Sequence, residues 1–378
     1  MKKILFFALL IISQFSAIAQ NEVWNFLDKG QYNVGFKVFP LYDSSRTIND
    51  ANHFRPVQVS LWYPAKASDV TPMNYKDYFL LSAEETDYEI SDVMKDSAIV
   101  RYKNLLKQNG VIEEAADKWF RTRMLAVKDA KPKPGKYPLI VVAQGNFHSA
   151  HHQAFLCELL ASNGYVVITT PSQTRISGQL TDASQAVESA NEQVTDMKFA
   201  IKSLRYFGNI DFSNIALLGH SFGGRSIQVL QMKNKNVKCL VSLDGGLGLN
   251  TAVDDIKKSP DFDSNKMDVP LLHFYEDTET FLTPDFRLIN SYMKSKRFLV
   301  KINNMHHFYF STLGLVSGII KGFNPLSENT GEKYKIICDM TRDFLNTVFK
   351  NNELEMDDLR NKFSLFAGEN KFISFVYK

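Results

Sequence analysis

The chemistry that this sequence offers centres on one serine, Ser221, in the stretch LLGHSFGG over residues 217–224. Gly219 and Gly223 stand two residues before and after it, which matches the pattern G-x-S-x-G. Glycines at these positions allow a sharp turn from a strand into a helix, on which the serine hydroxyl stands clear of the sheet. Because a serine hydroxyl is a poor nucleophile at neutral pH, it needs a histidine base and an acid that orients the histidine.

The base is expected from the chain that follows the serine, at the end of a later strand. Two adjacent histidines, His306 and His307, stand there in the stretch NNMHHFYFS over residues 303–311, and both are candidates. His273 lies in the middle of an apolar run, which is typical of a histidine packed in the core. His220 belongs to the turn itself, and its side chain is predicted to point away from the hydroxyl.

Two aspartates are candidates for the acid. Asp244 ends the apolar run that follows the serine, and two glycines after it turn the chain and expose its side chain. Asp277 ends the next apolar run, in the charged stretch YEDTET, where an acid is often only solvated. The sequence favours Asp244 and keeps Asp277 as the alternative.

A negative charge that develops on a carbonyl oxygen needs two backbone N–H donors. Phe222, directly after the serine, supplies one of them. The other is expected from Asn146, because Gly145 turns the chain in the stretch AQGNFHS after an earlier apolar run. The neighbouring histidines 148, 151 and 152 have no acidic ligands beside them, so the sequence predicts no metal site, and a serine mechanism requires no cofactor.

These residues need a sheet to position them, and the sequence predicts one from residue 139 onward. Apolar runs at 138–145, 165–172, 214–221, 237–246, 269–277 and 297–303 alternate with helical stretches. Continuous apolar runs that alternate with helices indicate a mostly parallel sheet flanked by helices. Two further strands, near 34–40 and 56–63, are predicted to pair antiparallel.

The domain organisation follows from changes in composition along the chain. Residues 1–19 combine two lysines, an apolar run and small residues before the expected cut, which predicts a signal peptide; a membrane anchor is the alternative. Residues 20–378 are predicted to form a single α/β domain, with a charged helical insert at about 73–130 and a C-terminal tail at about 351–378. With no cysteine near the cut, the protein is expected to be secreted or periplasmic rather than lipid-anchored.

The net charge of +3 is nearly neutral for 378 residues, and no basic block predicts a nucleic-acid partner. No segment after the first is apolar enough to predict an integral membrane span. The three cysteines lie in apolar or helical stretches without metal-like spacing, which favours buried free thiols, with one disulfide as the alternative in an exported protein. Oligomeric state does not follow from the sequence.

With these residues placed, the chain resembles the α/β-hydrolase superfamily, and more narrowly its platelet-activating-factor acetylhydrolase and dienelactone-hydrolase-like group. The stretches RPVQVSLWYPA, GHSFGG, VSLDGG and HFYFS carry the resemblance. The last is similar to a His-x-x-Phe stretch of that group, so the resemblance favours His307 over His306. It implies five site residues, namely Ser221 as nucleophile, Asp244 as acid, His307 as base, and Asn146 and Phe222 as oxyanion donors.

The resemblance also has departures. Gln144 stands where that group usually has histidine, and Thr312 stands where it often has an acid. The dienelactone branch uses a cysteine nucleophile, so the serine argues against dienelactone as the substrate.

The resemblance implies a serine hydrolase that cleaves carboxylic esters of small or lipid-like molecules. An amidase or peptidase on the same residues and a non-catalytic hydrolase-like binding protein are the alternatives. The apolar stretch 308–323 and the insert 73–130 are candidates for a lid or an acyl pocket, with ordinary core packing as the alternative for the former.

Overall fold

The computed structural model describes residues 22–48, 50–177, 186–250, 253–257, 259–260, 262–350 and 353–378. The predicted signal peptide over residues 1–19 lies outside these ranges. Within them, none of the helices combines the length and the apolar character that crossing a membrane requires.

One sheet of ten strands runs through the described residues. In chain order the strands are β1 Asn33–Ile48, β2 Asp50–Ala65, β3 Ala126–Lys128, β4 Tyr137–Ala143, β5 Val166–Thr169, β6 Ile210–His220, β7 Val237–Leu243, β8 Leu271–Tyr275, β9 Arg297–Ile302 and β10 Ile373–Tyr377. Across the sheet their order is β10-β9-β8-β7-β6-β4-β5-β2-β1-β3. The block from β9 to β5 in this order is parallel, which confirms the predicted, mostly parallel sheet.

Antiparallel pairs join this parallel block to further strands on both sides. β2 pairs antiparallel with β5 and with β1, and β10 pairs antiparallel with β9. The predicted pair near 34–40 and 56–63 is one long hairpin, because the alternating pattern continues on both sides of the turn. The stretch 351–378, which was predicted to be a tail, instead contains a helix and the strand β10.

Helices cover both faces of the sheet. In chain order they are α1 Glu22–Phe26, α2 Tyr75–Leu81, α3 Asp92–Gln108, α4 Glu113–Phe120, α5 Ala154–Ser162, α6 Gln173–Ser177, α7 Ala186–Ser203, α8 Gly223–Lys233, α9 Val253–Lys257, α10 Arg287–Asn290, α11 Thr312–Ile319, α12 Thr330–Lys350 and α13 Glu353–Glu369. One apolar cluster packs α5, α11, α12 and α13 on one face, and a second packs α7, α8, α9 and α10 on the other. This two-sided burial explains why β4 and β7 read as almost continuous apolar runs.

Three helices, α2, α3 and α4, occupy the charged stretch 73–130. They join the first apolar cluster through buried aromatic side chains, among them Tyr75, Phe79 and Trp119. The stretch therefore packs on the sheet rather than standing away from it.

The order of the strands positions the candidate site. β4 pairs with β5 on one side and with β6 on the other. The connections that lead to these two strands therefore run towards opposite edges of the sheet. In open parallel sheets a crevice forms at such a point, outside the carboxyl ends of the strands. Ser221 follows β6 directly, and the stretch with Asn146 follows β4.

All three cysteines, Cys157, Cys239 and Cys338, are free and wholly buried. Burial in apolar surroundings raises the pKa of each thiol above its usual value.

Candidate active site

Ser221 stands on a tight turn between β6 and α8. Its backbone φ is +52°, in the left-handed region that L-residues rarely adopt. Strain of this kind costs on the order of 1–3 kcal/mol and is common at active sites. The flanking glycines make the turn possible: a Cβ on Gly219 would lie 2.6 Å from the carbonyl carbon of Gly223, and a Cβ on Gly223 would lie 2.1 Å from the carbonyl oxygen of Ala143.

His307 lies between Ser221 and Asp244. Its Nε2 atom is 2.7 Å from the serine Oγ, and its Nδ1 atom is 2.5 Å from the aspartate Oδ2. Because an ionised carboxylate only accepts hydrogen bonds, Nδ1 carries the proton and donates it. Nε2 is then free to accept a hydrogen bond from the serine hydroxyl, as a general base must.

Asp244 is fully buried, and the side chain of His307 is only 5% exposed. Burial raises the pKa of Asp244, while the hydrogen bond from His307 acts in the opposite direction. Like Ser221, Asp244 has a positive φ, +44°, as it leaves β7 for the turn at Gly245. The glycine pair identified in the sequence therefore follows a strained aspartate.

The two alternative residues lie elsewhere. The Nδ1 atom of His306 is 3.1 Å from the Oε1 atom of Glu279, in a hydrogen bond away from the serine. Asp277 is half exposed and forms a 2.7 Å ion pair with Lys301. Among the four candidates for base and acid, the structure brings only His307 and Asp244 together with Ser221.

Glu276 and Glu279 were not identified from the sequence, yet both lie beside this group. The Oε1 atom of Glu279 accepts a hydrogen bond from the backbone N–H of His307 at 3.3 Å, so it holds both His306 and His307. The backbone N–H of Glu276 faces the Oδ1 atom of Asp244 at 3.4 Å. Burial, followed by repulsion from Asp244, raises the pKa of the Glu276 carboxyl to about 7.

The stretch after β4 lies against the serine. We call residues 144–153 the β4 loop. A Cβ on Gly145 would lie 3.1 Å from the Cβ of Ser221, which brings the backbone of Asn146 next to the serine. Gln144, the departure noted above, is buried, and its amide donates to the hydroxyl of Thr169 at 3.0 Å, so its side chain braces the loop.

Four imidazole rings form a stacked column beside the serine. The ring of His307 lies 5.1 Å from that of His220, which lies 5.1 Å from His148, which in turn lies 3.8 Å from His152. Burial lowers the pKa of the last three rings well below the usual value, so they are neutral. Among the described residues, no group of His, Cys, Asp and Glu side chains is arranged to hold a metal ion.

Comparison with known proteins agrees with this architecture. Residues 124–309 match the model of the dienelactone hydrolase family. A solved structure, a ferulic acid esterase from Streptomyces cinnamoneus, superposes with a TM-score of 0.59 over 85% of this chain and 92% of that one, at 19% identity. The chain has the α/β-hydrolase fold. The predicted fold and the resemblance to the dienelactone-hydrolase-like group are thus confirmed.

Curated proteins that are similar to part of this chain include Cutinase 2 of Thermobifida cellulosilytica and a cutinase of Thermobifida fusca (strain YX). Each is 28% identical over 107 residues, which is 28% of this chain. The matched part spans 39% of the first relative's length and 32% of the second's.

Proposed function

We propose that the protein is a serine hydrolase that cleaves carboxylic esters through an acyl-enzyme. The observation that carries the proposal is the hydrogen-bonded chain from the Ser221 Oγ through His307 to Asp244, with both links at 2.7 Å or less. The dienelactone hydrolase match and the cutinase relatives agree with an ester as the substrate.

In this mechanism His307 takes the proton of Ser221 as the oxygen attacks the ester carbonyl. Asp244 keeps the Nδ1 proton in place and stabilises the imidazolium that forms. The backbone N–H groups of Phe222 and Asn146 stabilise the oxyanion, and each such donor is typically worth about 2.7–4 kcal/mol. His307 then protonates the leaving alcohol.

Deacylation repeats these steps with water as the nucleophile. His307 removes a proton from the water as it attacks the acyl carbonyl, and returns that proton to the Oγ of Ser221 when the acid leaves. Each proton taken by the base is given back within one turnover, so the protein's own residues suffice for proton transfer.

Two further parts of the proposal concern the whole chain. We propose that residues 1–19 are a signal peptide, so that the mature protein acts in the periplasm or outside the cell. We also propose that residues 20–378 are one domain, with 73–130 as an insert that borders the site.

Hydrolysis of 4-nitrophenyl acetate tests the proposed activity, with Ser221→Ala as the control. The wild-type protein is expected to release 4-nitrophenol and to react covalently with a fluorophosphonate probe, and the variant to do neither. Ester hydrolysis that survives in Ser221→Ala would contradict the role of the serine. A wild-type protein that is inert to both reagents would contradict the proposed function.

A further inference from the structure

A pocket of about 530 Å³ lies between the stretch 73–130 and the β4 loop. Pockets that bind small organic molecules have volumes of about 300–1,000 Å³. Helices α2 and α3 form one wall, and Phe147, His151 and His152 of the β4 loop form the other. The pocket therefore has the size of a binding site for a bulky organic group.

The pocket lies close to Ser221. Gly145 touches the serine, and Phe147, two residues further along, lines the pocket. Two residues of chain span at most about 7 Å, so the pocket wall at Phe147 begins within about that distance of the backbone that packs on the serine. The Phe147 side chain is 48% exposed, and its backbone φ is +58°, which is a strained conformation.

Arg175 fixes the two walls relative to each other. Its Nη1 donates to the carbonyl oxygen of Phe147 at 3.3 Å, and its Nη2 donates to that of Ser82 at 3.0 Å. Its Nε pairs with the buried carboxylate of Glu85. Since one guanidinium joins the β4 loop to the end of α2, the pocket is formed before any ligand binds.

The lining is largely apolar and aromatic. Side chains of this kind at the pocket include Phe79, Ile90, Met94, Tyr102 and Leu105. Flat aromatic walls favour an occupant with a ring, which stacks on them or meets them edge to face.

The charge at the pocket is positive. Burial lowers the pKa of His151 and His152 well below the usual value, so neither ring is charged. Arg175 is paired with Glu85, whereas Arg101 on α3 is exposed and forms no ion pair with any residue that the structure describes. A carboxylate on the occupant therefore complements the lining, because a guanidinium binds a carboxylate through two parallel hydrogen bonds.

We propose that this pocket binds the apolar, ring-containing part of the ester substrate and that Arg101 pairs with a carboxylate carried by that part. The inference rests on the proposed function, since it assigns the substrate class of the same site. It makes the stretch 73–130 a determinant of specificity rather than a part of the catalytic group.

The first experiment compares three esters: 4-nitrophenyl acetate, methyl 2-naphthoate and the same naphthoate with a carboxylate at position 6. The wild-type enzyme is expected to have the lowest KM for the carboxylated ester. Arg101→Gln should raise that KM about fivefold, as expected for a partly exposed ion pair, and leave the other two esters unchanged. Arg121→Gln is the matched control, because Arg121 directly follows α4 and is 73% exposed but does not line the pocket.

The second experiment measures binding without turnover. Calorimetry with the Ser221→Ala protein and the carboxylated naphthoate ester should show binding that Arg101→Gln weakens about fivefold and Ala98→Trp, which fills the pocket, abolishes. Hydrolysis of 4-nitrophenyl acetate by the single variant Ala98→Trp reports that the variant is folded.

The two sets of outcomes separate the inference from the proposed function. If the wild-type enzyme hydrolyses 4-nitrophenyl acetate but Arg101→Gln acts like Arg121→Gln on all three esters, the inference is overturned and the esterase activity stands. If wild-type protein hydrolyses no ester, the proposed function fails, and binding in the Ser221→Ala protein that depends on Arg101 still supports the pocket. Absence of that binding overturns the pocket as well.

Discussion

Replacing Asp244 with asparagine tests the proposed catalytic group most directly. The side chain is fully buried, and its Oδ2 atom lies 2.5 Å from the Nδ1 of His307. Asparagine keeps the shape but removes the charge, and its NH₂ group repels a protonated Nδ1. If the imidazole responds by moving its proton to Nε2, it can no longer accept from Ser221.

The expected loss follows from this change of tautomer. In serine hydrolases an asparagine at the acid position lowers kcat on the order of 10⁴-fold, which corresponds to about 5 kcal/mol of transition-state stabilisation. The assay is kcat/KM for 4-nitrophenyl acetate at pH 7, with the melting temperature measured to establish that the variant is folded.

Asp277→Asn is the matched control, because Asp277 also follows a parallel strand but is half exposed and paired with Lys301. An exposed ion pair of this kind contributes at most about 1 kcal/mol, so the control should keep its activity within about threefold. A folded Asp244→Asn variant that loses less than tenfold, or an Asp277→Asn variant that loses as much, refutes the assignment of the acid.

Three further predictions concern the same region. Gly223→Ala should lower the melting temperature strongly, because the new Cβ would lie 2.1 Å from a backbone oxygen, whereas Gly208→Ala, with nothing within 4 Å, should be nearly neutral; equal melting temperatures would contradict the close packing at the turn between β6 and α8. The folded pKa of Glu276 is raised to about 7 from 4.5, so the contribution of this carboxyl to stability should fall by about 3 kcal/mol as pH rises between these values, and in thermal melts at pH 5 and 8 Glu276→Gln should gain stability relative to the wild type as pH rises. His307→Gln should abolish ester hydrolysis while His306→Gln retains most of it; the reverse result would exchange the two roles.

The residues nearest the serine were predictable because their chemistry is local. The pattern around Ser221 needs only a strand before it and a helix after it, and the alternation of apolar runs supplies both. Asp244 and His307 were predictable in type and in approximate position, because the carboxyl ends of neighbouring parallel strands meet at one edge of a sheet. The choice of His307 rather than His306 as the base needed the family resemblance. Adjacent residues in a loop differ mainly in the direction in which their side chains point, and the sequence does not give that direction.

Residues that act across long stretches of sequence were not predictable. Arg175 joins Ser82 and Phe147, and Glu279 holds the two histidines from 27 and 28 residues away. A single arginine or glutamate in a loop has no local pattern that distinguishes it from a solvated one. The strand β10 was missed for a related reason: its five residues follow a polar helix, and only pairing with β9 makes them a strand.

The three buried thiols have a practical consequence for experiments on the pocket. Alkylating reagents react with thiols that are accessible and ionised. All three cysteines are buried and have raised pKa values, so their thiols are neither accessible nor ionised. The native protein should therefore behave towards maleimides as a cysteine-free protein. A cysteine introduced at Leu105, a half-exposed position at the pocket, would accept a fluorophore selectively and report by its emission when a ligand enters.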